Sequence, residues 1–211
     1  MIIPETTRLF REAGEASAAV REQLERNHAL VIEAAEHLNA HPPRAVVTCA
    51  RGSSDHAATF AKYLVETRAG VLTSSAAPSV SSVYAAPAHL EGTLFLAISQ
   101  SGASPDLVAT AEAARASGAY VLALVNAEDS TLAGTAHLTI PLRAGKETSV
   151  AATKSYLASL AAIVHLVAHW RNDDSLLRAL ALAPGQLDQA WQLDWQAAAD
   201  ALHSVPGLYV V

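Results

Sequence analysis

A single cysteine, Cys49, leaves no partner for an internal disulfide, and no Asn-x-Ser/Thr sequon occurs, so neither mark of a secreted framework is present. Basic runs are missing too. With 14 Lys and Arg against 20 Asp and Glu the formal charge is -6, and nucleic acid is not expected as a partner. No apolar run reaches about 18 residues, and the opening MIIPETTRLFRE carries charges where a signal peptide needs an apolar stretch. No membrane partner is expected, and a soluble cytoplasmic protein is the default. Neither Gly-x-Gly-x-x-Gly nor Gly-x-x-x-x-Gly-Lys-Ser/Thr is found, which excludes the common nucleotide-binding fingerprints; no cofactor is called for. Aromatics make up only 5% and charged residues 16%, against 51% hydrophobic, much of it alanine. That is the composition of helices packed closely on a sheet, in a chain of 211 residues long enough for one full core.

What is present alternates. Residues 6–40 hold two amphipathic helical patterns, TRLFREAGEASAAVREQLERN and HALVIEAAEHLNA, with apolar residues three and four apart. After His41-Pro42-Pro43 a β-branched run, residues 44–50, reads as a strand and ends in Arg51-Gly52-Ser53-Ser54. Residues 55–67 return to helical spacing, residues 70–73 read as a short strand, and residues 93–98 form a continuous apolar run. A run without alternation predicts a strand buried on both faces. A Pro-started helix over 105–117, an apolar strand over 120–125 and another over 137–142 repeat the pattern. The expected fold is therefore α/β, a doubly wound, flavodoxin-like parallel sheet with helices on both faces. Beyond it come a long apolar helix to Trp170, a shorter one over 175–182 and a third over 186–204. Residues 206–211 read as the first strand of a truncated second domain, with a terminal edge strand of the first sheet as the alternative. The expected division is helices over 1–40, the sheet domain over 41–171, a helical linker over 172–205 and that strand.

In an open parallel sheet, ligands bind beyond the carboxyl ends of the strands, where loops lead into helix N-termini. Two such loops are rich in donors: Arg51-Gly52-Ser53-Ser54-Asp55, and Ser99-Gln100-Ser101-Gly102-Ala103-Ser104-Pro105. Hydroxyls at alternate positions, joined by unpaired helix amides and the positive end of a helix dipole, hold phosphate without needing a lysine. One serine-rich loop can equally be a capped turn, but two in one sheet favour an anion site. A third segment, residues 143–154, leads into the long apolar helix; its polar head either covers a ligand or simply caps that helix.

Other combinations carry less. Ser53, Ser54, Asp55 and His56 have the residue types of a hydrolase triad, but sequential neighbours at a helix start do not converge. His165 and His169 stand one turn apart, yet Leu166-Val167-Ala168 supplies no Glu and no third ligand is evident, so a core or interface pair is favoured and no metal site is expected. Cys49 reads as a small core residue. Trp191 and Trp195, four apart, suggest packing against a partner domain or subunit.

Ala50-Arg51-Gly52-Ser53-Ser54, Ile98-Ser99-Gln100-Ser101-Gly102-Ala103-Ser104-Pro105-Asp106 and Ser149-Val150-Ala151-Ala152-Thr153-Lys154-Ser155 together carry a resemblance. In order and spacing over residues 44–170 the sequence resembles the sugar isomerase (SIS) domain family. More narrowly, it is similar to the first SIS subdomain of the isomerase module of glucosamine-6-phosphate synthase and of shorter relatives without a glutaminase domain, often assigned as glucosamine-6-phosphate deaminases. The resemblance implies a phosphosugar ligand. Ser99, Ser101 and Ser104 would hold the phosphate with Gln100 beside them; Gly52, Ser53 and Ser54 would line the sugar; Val150 and Ala152 would approach it through backbone groups. It also implies that the proton-moving glutamate and a lysine lie in a second SIS domain, and that a ring-opening histidine comes from a neighbouring subunit of a homodimer. No catalytic residue is therefore named in this chain. The implied activity is amino-sugar phosphate isomerisation or deamination, glucosamine 6-phosphate to fructose 6-phosphate, through an enediol-type intermediate. A non-catalytic phosphosugar-sensing module is the alternative, although the N-terminal helices lack the basic residues that DNA contact demands.

Overall fold

The structure, a computed structural model, describes residues 3–208. A 3-10 turn at Pro4–Thr6 precedes helices α1 (Arg8–Gly14) and α2 (Ala16–Ala40). Then strands and helices alternate: β1 (Val46–Ala50), α3 (Ser53–Ala69), β2 (Thr73–Ser75), α4 (Pro78–Ser82), β3 (Leu94–Ser99), α5 (Pro105–Ala116), β4 (Tyr120–Val125), α6 (Thr131–Thr135) and β5 (Leu138–Pro141). Three helices follow: α7 (Lys154–Trp170), α8 (Asp174–Trp191) and α9 (Gln196–His203). Every strand pairing is parallel and the order is β2-β1-β3-β4-β5, the doubly wound arrangement expected from the alternation.

The unalternating apolar runs have a simple cause. All six residues of β3 are buried, and so are those of β4 except the half-buried Tyr120. Leu94, Leu96 and Ile98 of β3, with Leu122 and Leu124 of β4, face one layer, where Ala34 of α2, Ala61 of α3 and Ala158 of α7 meet them. Phe95, Ala97, Val121 and Ala123 face the other, against Leu107 and Ala111 of α5 and Leu132 of α6. Because both faces are dry, both sets of alternate side chains must be apolar. The small alanines let each helix approach closely. Cys49 sits in the second layer as expected, and burial raises its thiol pKa to about 12.

Several boundaries differ from the sequence reading. The two N-terminal helices break at Glu15, not before His28. Asn27, read as a helix end, is buried in the middle of α2, where its amide donates to the Pro141 carbonyl at 2.6 Å and its oxygen accepts from Arg143 Nε at 2.6 Å. Tertiary partners replace the backbone competition that makes Asn a helix breaker. Likewise α8 runs through Pro184, whose carbonyl accepts from the buried Ser17 hydroxyl at 2.8 Å, and the chain breaks at residues 192–195 instead. The strand expected at 70–73 begins at Thr73, because pairing with β1 starts with Thr73 opposite Val46.

The Trp191 ring lies 4.6 Å from Phe10 and against Gly14, packing α8 on α1, and remains partly exposed; Trp195 is more exposed still. Residues 206–208 are irregular, and the rest of the strand expected over 206–211 lies outside the described residues. Among the described residues no helix is long and apolar enough to cross a membrane.

Candidate functional site

The strand order reverses between β1 and β3, so their carboxyl ends open a crevice between two loops that diverge to opposite faces of the sheet. Both donor-rich loops stand there. Each leads into the N-terminus of a helix longer than three turns or nearly so, α3 and α5, and both dipoles direct their positive ends at the same opening.

In the first loop, Gly52 adopts φ +58 at the cap of α3. A Cβ there would meet nothing within 4 Å, so glycine answers the backbone angle rather than a lack of room. Ser53 and Ser54 open the helix half-buried, and their hydroxyls have no hydrogen bond among the described residues. His56 and Asp55 are exposed one step on and bond neither serine, in keeping with the rejection of a triad.

The second loop is built around Gly102. Its φ is +59, and a Cβ would collide with the Ser130 side chain and come within 2.8 Å of Val125 Cγ2. The glycine carbonyl accepts from Leu132 N at 3.1 Å, and its own N–H donates to the Ser99 hydroxyl at 3.0 Å. Ser99 is therefore buried and committed to shaping the turn. Ser101 is exposed, its oxygen accepting only a long 3.4 Å bond from Ala103 N; Ser104 caps α5 by position, with no side-chain hydrogen bond to the helix. Of the three serines placed around the phosphate, two are accessible and one supports them from behind.

Two contacts tie the loops together, and spacing in the sequence announces neither. Arg51 donates through Nε to Asp106 Oδ2 at 2.8 Å, with its terminal nitrogen on the same oxygen, joining the first loop to the first turn of α5. The Arg51 guanidinium holds the Asp106 carboxyl below its usual range. Gln100 Nε2 donates to the Glu147 carbonyl at 3.4 Å, bringing in the third segment. Both residue pairs stand inside the motifs read from the sequence, but nothing in one dimension says that they meet.

The third segment caps α7 in an unforeseen way. Residues 149–153 are irregular, and the helix expected from Val150 starts at Lys154. The Glu147 carboxylate accepts from Thr153 N and Thr153 Oγ1, both at 2.8 Å, and from the Ser155 hydroxyl. Burial alone would raise the Glu147 pKa, but these donated bonds outweigh it and hold the carboxyl below its ordinary value. From α1, Glu12 accepts from Thr148 N at 2.7 Å and Ser149 N at 3.1 Å; the Ser149 side chain and the Thr148 amide are foremost in lowering it to about 2. Lys154, nearly fully buried, pairs with Glu15. Val150 is fully exposed and Ala152 half-buried.

His165 and His169 lie far along α7 from these loops, and the structure brings a third ring to them. His28 of α2, which the sequence reading did not connect with the pair, joins both.

Comparison with known proteins agrees with this architecture. Residues 41–169 match the SIS domain family. The chain is 35% identical over 154 residues to the isomerizing glutamine–fructose-6-phosphate aminotransferase of Zymomonas mobilis, an alignment covering 69% of this chain and 25% of that protein. A crystal structure from Silicibacter pomeroyi, provisionally assigned as a phosphosugar isomerase, superposes with TM-score 0.91 at 42% identity, over 95% of this chain and 61% of the other. The Vibrio vulnificus NanR protein, solved with ManNAc-6P, shares the fold at TM-score 0.62 and 17% identity, over 90% of this chain and 67% of its own. The chain thus spans about a quarter of the length of the curated relative and less than two thirds of the Silicibacter chain. With two donor loops at the switch point of a parallel sheet and a family match over most of its length, the chain belongs to the SIS domain family.

Proposed function

We propose that the crevice between β1 and β3 binds the phosphate of an amino-sugar phosphate, and that the chain serves as the phosphosugar-binding half of an isomerase or deaminase interconverting glucosamine 6-phosphate and fructose 6-phosphate. The observation that carries the reading is the Gly102 turn. Its buried Ser99 brace leaves the Ser101 and Ser104 hydroxyls accessible beside the amides that open α5. A dianionic phosphate finds hydroxyl donors, backbone N–H groups and a helix dipole there, and the Asp106 carboxylate beside them is neutralised by Arg51. Ser53 and Ser54 stand across the crevice for the sugar hydroxyls, and the backbone at Val150 and Ala152 closes its third side.

Moving a proton between the first two sugar carbons needs a carboxylate free to accept it. Neither carboxylate that organises the loops qualifies: Asp106 is engaged by Arg51, and Glu147 by Thr153 and Ser155. In this reading the base comes from a second SIS domain and the ring-opening group from a neighbouring subunit, so this chain binds but does not turn over. The NanR likeness is one of fold alone, and a sensing role makes the same demand on the crevice. Calorimetric titration with glucosamine 6-phosphate, with glucosamine and inorganic phosphate as controls, tests the site. Saturable binding that needs both phosphate and sugar is expected; a folded chain that ignores the phosphosugar overturns the assignment. Turnover assayed with the second domain supplied separates the isomerase from the sensor.

A further inference from the structure

The ring nitrogens of His28, His165 and His169 offer one ligand atom each within 4.8 Å of one another. The first histidine comes from α2 and the other two from successive turns of α7, at positions i and i+4 on one face. Ring centroids are 6.2 Å apart for His28 and His165, 5.2 Å for His28 and His169, and 5.0 Å for His165 and His169. A second observation points the same way. His165 is only 4% exposed, and its Nδ1 is buried with no hydrogen-bond partner. A polar ring atom left alone inside a helical layer is costly, and native proteins rarely tolerate it without a water or an ion.

We propose that these three histidines form a site for a divalent transition-metal ion, clamping α2 to α7, with His165 Nδ1 as one ligand atom. The donor set selects the metal class. Three imidazoles without a thiolate suit Zn2+, Co2+, Ni2+ or Cu2+, whereas Mg2+ and Ca2+ need an oxygen cage that is not present among these side chains. Tetrahedral zinc places its nitrogens roughly 3.3 Å apart, so the ligand atoms need close by at most about 1.5 Å, within reach of side-chain rotation for the exposed His28. Burial first, then the neighbouring rings, lowers the His165 pKa to about 4 and lowers that of His169 as well, which favours on these two rings the neutral form a metal requires.

The surroundings allow a fourth ligand. The cluster lines a cavity of about 480 Å3 closed on its far side by Leu177 and Leu180 of α8. Its other charged residues are Arg21, paired with Asp188 at 3.3 Å, and Glu25, which has no ion pair among the described residues. A cation is therefore not opposed by a free positive charge, and the cavity leaves room for a water on the metal. The site begins roughly 16 Å along α7 from its first turn, at 1.5 Å per residue. Zinc there would rigidify the helical layer on one face of the sheet rather than take part in the loops.

Tag-free full-length chain, stripped with chelator and titrated with Zn2+, tests the proposal. One ion per chain at micromolar or tighter affinity and a raised melting temperature are expected, with Co2+ giving the visible bands of a nitrogen-rich tetrahedral site. His28→Gln and His169→Gln, both away from the deepest packing, are expected to weaken zinc at least tenfold while leaving the circular dichroism of the metal-free chain unchanged. Sub-stoichiometric zinc after desalting, the absence of cobalt bands, or zinc affinity in the two variants unchanged from the parent chain overturns it, and would leave the rings as a stacked packing cluster. The cobalt spectrum of the unsubstituted chain decides the matter even where a variant fails to fold.

Discussion

At the carboxyl end of the sheet, glycines at positive φ, accessible serine hydroxyls and two helix N-termini converge, and ion pairs and amides brace the loops from outside. At the amino end, rings close the sheet instead. His37 and Tyr120 stack at 3.8 Å, Tyr120 and His137 at 5.3 Å, and His137 Nδ1 accepts from Val121 N at 2.9 Å. These rings, with Pro42 and Pro43, line a cavity of about 480 Å3. Burial lowers the His37 and His137 pKa values, which favours their neutral forms. A cavity of that size does not by itself mark the proposed phosphate site. What differs is the supply of unpaired donors, which strand and helix direction place at one end only.

Substitutions can break that contrast. Gly102→Val is expected to do most damage, since the side chain collides with Ser130 and Val125 at a φ that valine resists; a cost of about 2–4 kcal/mol in urea unfolding is expected, with loss of phosphosugar binding. Parental stability in that variant would mean the turn is not held as described. Ser101→Glu puts a carboxylate where phosphate is proposed to sit, on an exposed side chain. Calorimetry should show affinity reduced at least about 100-fold, about 2.7 kcal/mol, while stability stays within about 0.5 kcal/mol. Equal affinity would move the phosphate elsewhere.

His137→Ala sharpens the contrast from the other end. Removing the acceptor for Val121 N is expected to cost about 1–2 kcal/mol in thermal or urea unfolding and to leave phosphosugar affinity unchanged. A large drop in affinity would show that the two ends are not independent. The smallest effect is expected from Glu12→Gln, which loosens the segment before α7. The folded Glu12 pKa of about 2 lies below its ordinary 4.5, so its contribution is full above about pH 4.5 and is lost as pH falls toward 2. Stability of the two proteins measured against pH should differ by a constant above that window and converge below it; a difference that grows on acidification contradicts the assignment.

Much of this was legible in one dimension because its causes are local or periodic. Runs such as Leu94 to Ser99 lack alternation since both faces of β3 are covered, and that pattern, with Pro105 and the Ser-Gly loops, set the fold class and located the candidate site. Helix ends were read less well where a strong local signal met a stronger tertiary partner. Asn27 and Pro184 both look like breaks, yet one is held by Pro141 and Arg143 and the other by Ser17.

By itself, then, the sequence determined the five strands of the sheet and most of the longer helices, though not the short α4 and α6, and which two loops carry hydroxyls and glycines beside helix starts. Backbone propensity and the burial period act within a few residues and leave a trace that can be counted. Only the tertiary structure decided that Arg51 meets Asp106, that Glu147 caps α7 while Glu12 reaches across from α1, that Ser99 turns inward while Ser101 stays open, and that His28 completes a trio with His165 and His169. The meetings of Glu12 with Thr148 and of His28 with His165 depend on how helices lie across one another, and contacts between residues more than a hundred positions apart have no period from which they can be read. The nearer ones turn on how each loop folds back, which no periodic pattern records.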